Sequence, residues 1–359
     1  MTFDKKINAW RRALMQKLTR NIGPAETGNG PSDKSEIVKI LISRPNHRLG
    51  NLLLITPLVQ EIKETLPHAR VDLFVKGNLA PLVFRNYDNV DTIIQLPKKP
   101  FSDFFGYLGG WLAIKRKRYD MVINVVGGSS SGRVSARMAN AKYRFFGDAE
   151  QDTSGNYPDH AHLGKSPVYR FRNYLKKWGL GEREQKIAPL DLKLSPSEIE
   201  QGKRILDELV LNANPTICLF TNATGDKRYP DTWWKVFYER LKTEFPGCNI
   251  IEVLPVENIS QIDFKAPVYS HPDIRVIGSF IANTAVFIAA DSGMMHLSSG
   301  VQTPTIGLFK VTAEKSYEPY NPGSVAINTN VSGLEDYIDA VRGILLQKGK
   351  NRDVYKKEM

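Results

Sequence analysis

Residues 287–309, FIAADSGMMHLSSGVQTPTIGLF, constrain the fold most strongly, because two apolar runs flank a turn and a segment of small and apolar residues. The first run stops at Asp291, the turn continues as Ser292-Gly293, and His296 lies in the segment that follows. This order predicts a strand, a tight turn, a helix, a turn and a second strand. Such a turn places backbone N–H groups and the positive end of a helix at the carboxyl end of a strand, where α/β proteins bind diphosphates. A plain helix start, with His296 as a packing residue, fits the same pattern.

Alternation of this kind runs along most of the chain. In the first half, strands are predicted at residues 37–43, 71–75, 92–96, 121–126 and 141–146, with helical patterns between the first four. In the second half, a Ser-capped helix at residues 195–211 is followed by strands at residues 216–220 and 249–253 and then by the segment described above. Alternating strands and helices predict parallel, doubly wound sheets. We therefore expect an α/β protein with two similar halves and a central cleft between them.

Composition shifts divide the chain into four predicted parts. These are a basic N-terminal helix and linker (residues 1–36), a first α/β domain with its connection (residues 37–194), a second α/β domain with a terminal helix (residues 195–346) and a basic tail (residues 347–359). Residues 148–194 are predicted to be a loop-rich connection. The first 20 residues combine an apolar face with a basic one, which suits either an anionic membrane surface or packing against the protein itself.

Charge and composition narrow the classes of partner. The net charge of +11 suggests an acidic partner, for which nucleic acid, anionic lipid headgroups and phosphorylated sugars are candidates. Nucleic acid is the least supported, since neither zinc-finger spacing nor an RNP-like aromatic pattern occurs in the sequence. The sequence contains no apolar window of the ~20 residues that a membrane span needs, and no signal peptide is visible. Cys218 and Cys248 lie in apolar runs and fit buried thiols, so we expect a cytoplasmic protein.

Several familiar catalytic motifs are absent: the P-loop, the G-x-G-x-x-G fingerprint and H-E-x-x-H. The histidines are scattered, and no metal site is predicted. Residues 128–132 match G-x-S-x-G, and Ser130, Asp291 and His296 follow one another in the order of an α/β hydrolase triad. Asp291 and His296 are only five residues apart, however, whereas triads draw acid and base from separate loops. We instead expect this loop, with Ser129 and Ser130, to form hydrogen bonds with hydroxyl groups.

Two further loops follow predicted strands. In the first, residues 221–230, small polar residues including Thr224 precede Lys227, and Pro230 then begins a helix. A lysine beside a helix N-terminus can hold a phosphate, although a solvated loop lysine fits the same sequence. The second loop, residues 44–51, contains basic and polar side chains and a glycine that allows close approach to the backbone. Its candidate acceptor-side residues are Arg44, His47, Arg48, Gly50 and Asn51.

Three segments together resemble glycosyltransferase family nine, the ADP-heptose:lipopolysaccharide heptosyltransferases. Residues 39–75 are similar to the family's opening strand, Leu-Gly-Asp loop and Pro-containing helix. Residues 119–124 are similar to its Tyr-Asp-hydrophobic strand. Asp291-Ser292-Gly293-x-x-His296 with Thr303-Pro304 resembles its donor-site signature. The resemblance covers about residues 37–346 and implies a GT-B fold, in which two Rossmann-like domains face a central cleft.

The resemblance also implies a function. It implies metal-independent, inverting transfer of a sugar from a nucleotide diphosphate, with no cofactor beyond a nucleotide-sugar substrate such as ADP-heptose. The acceptor would be a glycolipid or phosphorylated glycan of the lipopolysaccharide core type, reached from the cytoplasmic face of the inner membrane. The implied donor-binding residues are Thr224, Lys227, Glu257, Asp291, Ser292, Gly293 and His296.

The sequence departs from the family at one important position. The family's general base is an Asp directly after the loop glycine, and here Asn51 occupies that position. A neutral amide orients a hydroxyl but cannot take its proton. Either His47 substitutes as the base, or catalysis relies on stabilising the leaving group, or activity is weak or absent. The alternative function is therefore a catalytically silent GT-B protein that binds a nucleotide or glycan.

Overall fold

A computed structural model describes residues 19, 22, 30–99, 103–148 and 157–357 of the chain. The chain divides into two compact units. The first contains residues 1–48, 55–81 and 87–188, and the second contains residues 49–54, 82–86 and 189–359. The first 18 residues, for which we predicted an amphipathic helix, lie outside the described residues.

The first unit contains a five-stranded parallel sheet in the order β3-β2-β1-β4-β5. Its strands are β1 (Lys39–Arg44), β2 (Arg70–Lys76), β3 (Val90–Leu96), β4 (Arg118–Asn124) and β5 (Asn140–Phe145). The central strand β1 is buried along its middle four residues, three of which are apolar, as expected for a strand that is covered on both faces. All five predicted strands of the first half are present.

The second unit contains a six-stranded parallel sheet in the order β11-β10-β9-β6-β7-β8. Its strands are β6 (Thr216–Phe220), β7 (Asn249–Val253), β8 (Val268–Tyr269), β9 (Val286–Ala290), β10 (Thr305–Phe309) and β11 (Val325–Asn328). β6, β9 and β10 are buried at every position. Cys218 in β6 is fully buried, which raises the pKa of its thiol, and Cys248 is half-buried. Cys218 is thus buried as predicted, whereas Cys248 is only partly buried.

Helices connect the strands. In the first half of the chain they are α1 (Leu49–Leu53), α2 (Thr56–Thr65), α3 (Ala80–Val83), α4 (Phe104–Arg116), α5 (Ser130–Met138) and α6 (Ser166–Lys177). In the second half they are α7 (Pro196–Val210), α8 (Asp231–Glu244), α9 (Ile274–Ala282), α10 (Gly293–Gly300), α11 (Glu314–Tyr317) and α12 (Leu334–Lys357). The cap of α7 is a complete capping box between Ser195 and Glu198, which confirms the predicted start of that helix.

The structure corrects three sequence predictions. The helix predicted from residue 52 to residue 66 is divided into α1 and α2, and Pro57 lies in the first turn of α2. Residues 148–194 are not only a connection, because they include α6, which buries Val168 and Phe171 in the first unit. The tail predicted from residue 347 is part of α12, which continues to Lys357.

No helix among the described residues is long and apolar enough to cross a membrane.

Candidate functional site

Polar side chains gather at the carboxyl edge of the second sheet. β9 ends at Ala290, directly before Asp291, and β6 ends before the loop that contains the 3-10 turn Gly225–Lys227. β6 and β9 are neighbouring parallel strands, so their carboxyl ends lie side by side. This topology brings Lys227 to Asp291, although 64 residues separate them in the chain.

The carboxylate of Asp291 is buried and receives two donors. Its Oδ2 accepts a hydrogen bond from the Lys227 ammonium and another, of 2.6 Å, from Thr312 Oγ1. Thr312 follows β10, the neighbour of β9 on the other side from β6. A buried carboxylate needs such partners, because desolvation of an unpaired charge is costly. Three neighbouring strand ends thus supply one charged cluster.

The ammonium of Lys227 lies at the boundary between protein and solvent. Besides its ion pair with Asp291, its Nζ lies 5.4 Å from the ring centroid of Tyr317, in cation–π geometry. The Lys227 side chain remains about a third exposed. An ammonium has three donor hydrogens, so Lys227 can keep its bond to Asp291 and still bind an anionic ligand.

His296 is buried beside this pair on α10. Ser292 caps the helix by accepting a hydrogen bond from the Met295 N–H at 3.3 Å. The His296 Nε2 lies 4.0 Å from Asp291 Oδ1, which is beyond hydrogen-bond range. Burial lowers the pKa of His296 to about 4, with Lys227 adding to the decrease and Asp291 opposing it. The imidazole is therefore neutral at pH 7, so Lys227 is the positive charge of this cluster.

Gly50 allows α1 to approach α10 closely. A Cβ at Gly50 would lie 2.5 Å from Cδ2 of His296, and one at Gly293 would lie 3.3 Å from Cβ of Leu49. The sequence predicts a close approach at Gly50, and the structure identifies the approaching group as the His296 imidazole. This packing also explains why residues 49–54 belong to the second unit, whereas the sequence analysis placed them in the first domain. Asn51 lies half-buried in the same helix.

Glu257, one of the expected donor-binding residues, is exposed in the loop after β7. Sequence reasoning missed a carboxylate nearby: Glu252 is fully buried in β7 and accepts hydrogen bonds from Thr221 Oγ1 at 2.5 Å and Ser260 Oγ at 2.6 Å. Burial raises the pKa of Glu252, while the two hydroxyl donors oppose the increase. The sequence feature that could have identified Glu252 is its position as a lone Glu within the mostly apolar strand NIIEV. Glu252 ties the end of β6 to the loop that carries Glu257.

Thr312 and Tyr317 were also missed. Both follow β10, and nothing in their residue types or spacing separates them from ordinary loop residues. Thr224, which was predicted, is exposed and precedes the turn that carries Lys227.

The predicted acceptor-side residues of the first unit follow two neighbouring strands. β1 ends at Arg44, and the loop after it carries His47 and Arg48 as exposed side chains. β4 pairs in parallel with β1, and the loop after β4 leads to Ser129 and Ser130 at the start of α5. The two loops therefore lie at the same edge of the first sheet.

Ser129 has a structural role in that loop, because its hydroxyl caps α5 by accepting a 3.2 Å hydrogen bond from the Gly132 N–H. The Ser129 hydroxyl has a second lone pair and a donor hydrogen, with which it can form hydrogen bonds to a ligand hydroxyl. Ser130 follows as the first residue of the helix and is half-buried.

His47 lies in a basic environment. Partial burial lowers the pKa of its imidazole, and the nearby charges of Lys76, Lys98 and Arg48 add to this effect. Each of these cations disfavours the imidazolium form. His47 is therefore a neutral imidazole at pH 7, the form that can accept a proton.

Among the residues that the structure describes, no group of three or more His, Cys, Asp and Glu side chains is arranged to hold a metal ion.

Two parallel α/β sheets with polar loops at their carboxyl edges are typical of GT-B glycosyltransferases among other α/β proteins, and comparisons with known proteins identify the family. The sequence model of glycosyltransferase family 9 (heptosyltransferase) matches residues 111–337, more than half of the chain. Lipopolysaccharide heptosyltransferase 3 of Escherichia coli is 20% identical over 294 residues, which cover 76% of this chain and 84% of that protein.

Solved structures of the same family share the fold. A family 9 glycosyl transferase from Veillonella parvula superposes with a TM-score of 0.71 at 17% identity, covering 89% of this chain and all of that one. The Escherichia coli heptosyltransferase WaaC with ADP gives a TM-score of 0.60 at 15% identity, covering 85% of this chain and all of that one. The chain belongs to glycosyltransferase family 9 and is a heptosyltransferase-like enzyme.

Proposed function

We propose that this enzyme transfers a heptose from ADP-heptose to a phosphorylated glycan of the lipopolysaccharide core. The observation that carries the proposal is the buried Asp291 carboxylate, which holds the ammonium of Lys227, a side chain about a third exposed, at the carboxyl edge of the second sheet. A cation fixed in this way suits a ligand whose negative charge increases during the reaction, as that of a departing nucleoside diphosphate does.

The donor binds at the edge of the second sheet. Lys227 contacts the diphosphate, and the N-terminal turn of α10, capped by Ser292, points its N–H groups and positive dipole end at the same charge. Gly293 keeps the start of that helix free of a side chain. Thr224 and Glu257, exposed in the loops after β6 and β7, contact the nucleoside or the sugar.

The acceptor binds at the edge of the first sheet, where Arg44 and Arg48 attract its phosphates and Ser129 and Ser130 receive its hydroxyls. His47 removes the proton of the attacking hydroxyl, because its lowered pKa keeps it neutral at pH 7. Asn51 orients the acceptor or donor through its amide and takes no proton.

The reaction is a single displacement. The acceptor oxygen attacks the anomeric carbon, the bond from that carbon to the phosphate oxygen breaks, and the nucleoside diphosphate leaves with the bonding electron pair. Attack on the face opposite the leaving group inverts the anomeric centre. Lys227 and the α10 N-terminus stabilise the departing charge without a metal ion or other cofactor.

The acceptor's lipid anchor would place this enzyme at the cytoplasmic face of the inner membrane. The competing function is binding of nucleotide or glycan without turnover, and the observation that favours it is the amide of Asn51 at the family's base position.

One assay separates the two functions. The protein is incubated with ADP-heptose, with and without lipopolysaccharide that lacks its outer heptoses, and released ADP and the mass of the acceptor are followed. The proposal predicts ADP release that requires acceptor, together with an acceptor heavier by one heptose. Stabilisation by ADP-heptose in a thermal-shift assay without any release of ADP would instead show the silent binding protein.

A further inference from the structure

The outer face of α4 in the first unit is apolar where a solvent-facing helix is ordinarily polar. Phe104 is 58% exposed, Phe105 84%, Leu108 45% and Leu112 37%. At 100° per residue these four side chains fall within one sector of the helix. The contiguous exposure of two Phe and two Leu side chains marks an interaction surface, because single exposed apolar residues are common but clusters are not.

The adjoining sector of α4 is already covered by the core. Trp111 and Ile114 are buried in the core of the first unit, where Trp111 packs edge-to-face on Phe74 with ring centroids 5.1 Å apart. The apolar sector of the helix is thus wider than the part that the core covers. An amphipathic helix ordinarily buries its whole apolar stripe.

The charges around this surface are positive. Lys115 and Arg116 are exposed in the last turn of α4, and Lys98 is exposed in the segment before the helix. None of the three makes an ion pair with another residue in the described part of the chain. The acid next to the surface, Asp103, is engaged in capping the helix through a 2.8 Å hydrogen bond from the Gly106 N–H. Aromatic and aliphatic side chains flanked by cations complement an anionic lipid surface.

The position of the surface fits a lipid-linked acceptor. The N-terminus of α4 follows β3, so Phe104 and Phe105 lie at the same carboxyl edge of the first sheet as His47. A groove of about 370 Å³ at this edge is lined by Gly77, Lys98, Asp103 and Gly106. Gly77 connects it to the proposed base, because a Cβ at Gly77 would lie 3.1 Å from Cβ of His47.

We propose that the surface formed by Phe104, Phe105, Leu108 and Leu112, with Lys98, Lys115 and Arg116, docks this enzyme on an anionic phospholipid bilayer. The two Phe rings enter the headgroup region, and the cations contact lipid phosphates. The groove then opens beside the headgroups, where the glycan of a lipid-anchored acceptor begins. This inference extends the proposed function, but binding to lipid can be measured without donor or acceptor.

The test is co-sedimentation of the full chain with vesicles. Vesicles of phosphatidylethanolamine and phosphatidylglycerol are compared with vesicles of phosphatidylcholine alone, for the unmodified protein and for a Phe104→Ser/Phe105→Ser variant. We expect binding to the anionic vesicles, reduced roughly tenfold or more by the double substitution because two aromatic side chains no longer leave water. A Lys115→Gln/Arg116→Gln variant should lose about fivefold per cation on anionic vesicles only.

A matched control is Val331→Ser, which removes a single apolar side chain that is 83% exposed in the second unit. It should bind as the unmodified protein does. Circular dichroism and thermal unfolding check that each variant is folded, which we expect because the substituted side chains are mostly solvent-exposed.

The inference is wrong if the unmodified protein does not bind anionic vesicles, or if the Phe104→Ser/Phe105→Ser variant binds them equally well. The latter result would assign membrane binding to another part of the chain, such as the basic residues 1–18. Sedimentation velocity covers a third outcome: a dimer that the double substitution dissociates would identify the surface as a contact between two copies, which also contradicts the inference.

Turnover separates this inference from the proposed function. The double variant should transfer sugar at the normal rate to a delipidated acceptor and more slowly to the same glycan presented in anionic vesicles. Loss of activity on both acceptors would contradict a docking role, whereas inactivity of the unmodified protein on both would contradict the proposed function while leaving the vesicle result intact.

Discussion

The carboxyl edges of the two sheets are built differently. At the edge of the second sheet, Asp291, Lys227 and Thr312 hold one another through hydrogen bonds, and His296 is buried beside them. At the edge of the first sheet, His47 and Arg48 are exposed, and the backbone N–H of Arg48 donates a 2.9 Å hydrogen bond to Asn46 Oδ1. The groups at the second edge thus hold one another in place, whereas His47 and Arg48 at the first edge are exposed to solvent.

This difference between the two edges suits the separate tasks proposed for them, which are donor binding and acceptor binding. A group that stabilises a departing diphosphate is most effective when it is already oriented, because no reorganisation is then needed during the reaction. A site for a branched, lipid-linked glycan gains from side chains that can follow the acceptor. Substitutions at the second edge should therefore affect catalysis and stability together, and those at the first edge should affect catalysis alone.

The largest effect should follow Lys227→Ala. Removing the cation takes away the proposed contact to the diphosphate and leaves the buried Asp291 carboxylate without its ion-pair partner. We expect kcat/KM to decrease by about 10²–10³-fold, accompanied by a lower midpoint of thermal unfolding. Steady-state kinetics of ADP release and a thermal melt measure the two effects.

Lys235→Ala is the matched control for Lys227→Ala. Lys235 lies on α8 and pairs with Asp231 at 2.9 Å and Asp263 at 2.8 Å, both exposed carboxylates. Its removal should leave the kinetics unchanged. Normal kinetics of the Lys227→Ala variant would contradict the proposed donor site.

His47→Ala should decrease kcat by about 10²-fold without lowering stability, since His47 is an exposed side chain. The pH profile gives a second, sharper readout. A base works when neutral, so activity should decrease as the pH falls through the pKa of His47, which is below the usual value of about 6.5. The acid limb of kcat/KM against pH should therefore lie below pH ~6.5 in the unmodified enzyme and disappear in the variant. An unchanged limb would exclude His47 as the base.

Gly50→Ala tests the contact between α1 and α10. Its methyl group would lie 2.5 Å from the His296 ring, so the helices must move apart. We expect a loss of about 1–3 kcal/mol in the free energy of unfolding, measured by urea denaturation. Gly343→Ala on α12 is the control, because a Cβ there meets nothing within 4 Å and should stabilise the helix by about 0.5–1 kcal/mol. Equal stability of the two variants would mean that the packing at Gly50 is loose.

The smallest effect concerns the neutral state of His296. Its pKa of about 4 in the folded protein lies below the unfolded value near 6.5, so the unfolded chain binds more protons between these pH values. Stability is therefore full above pH ~6.5 and decreases as the pH falls toward 4. Replacing His296 with Gln should remove that part of the pH dependence in urea unfolding. If the two proteins lose stability in parallel, His296 does not control it.

Much of the architecture follows from local pattern. β6 and β7 have the predicted bounds, because each is a short, mostly apolar run between turn residues. Ser195, Pro196 and Glu198 specify the start of α7 by themselves, since a capping box depends only on residues within one turn. The 291–296 turn was recognisable for the same reason.

Other elements depended on contacts between distant residues. β8 and β11 are edge strands of two and four residues, too short to show a period, and they exist because β7 and β10 offer them unpaired backbone groups. α6 was missed within a stretch that appeared loop-rich, although its apolar residues pack into the first unit.

In the candidate site, too, some features follow from local sequence pattern and others depend on contacts between distant residues. The sequence alone identified Lys227, Asp291, Ser292, Gly293 and His296 as candidates, because strand–turn–helix patterns place such residues at a sheet edge. Only the tertiary structure brought Lys227 and Thr312 to the same carboxylate oxygen, placed the His296 ring against Gly50 and buried Glu252 between two hydroxyls. These contacts join residues from different strands, and strand order is set by packing over the whole sheet, which no local pattern records.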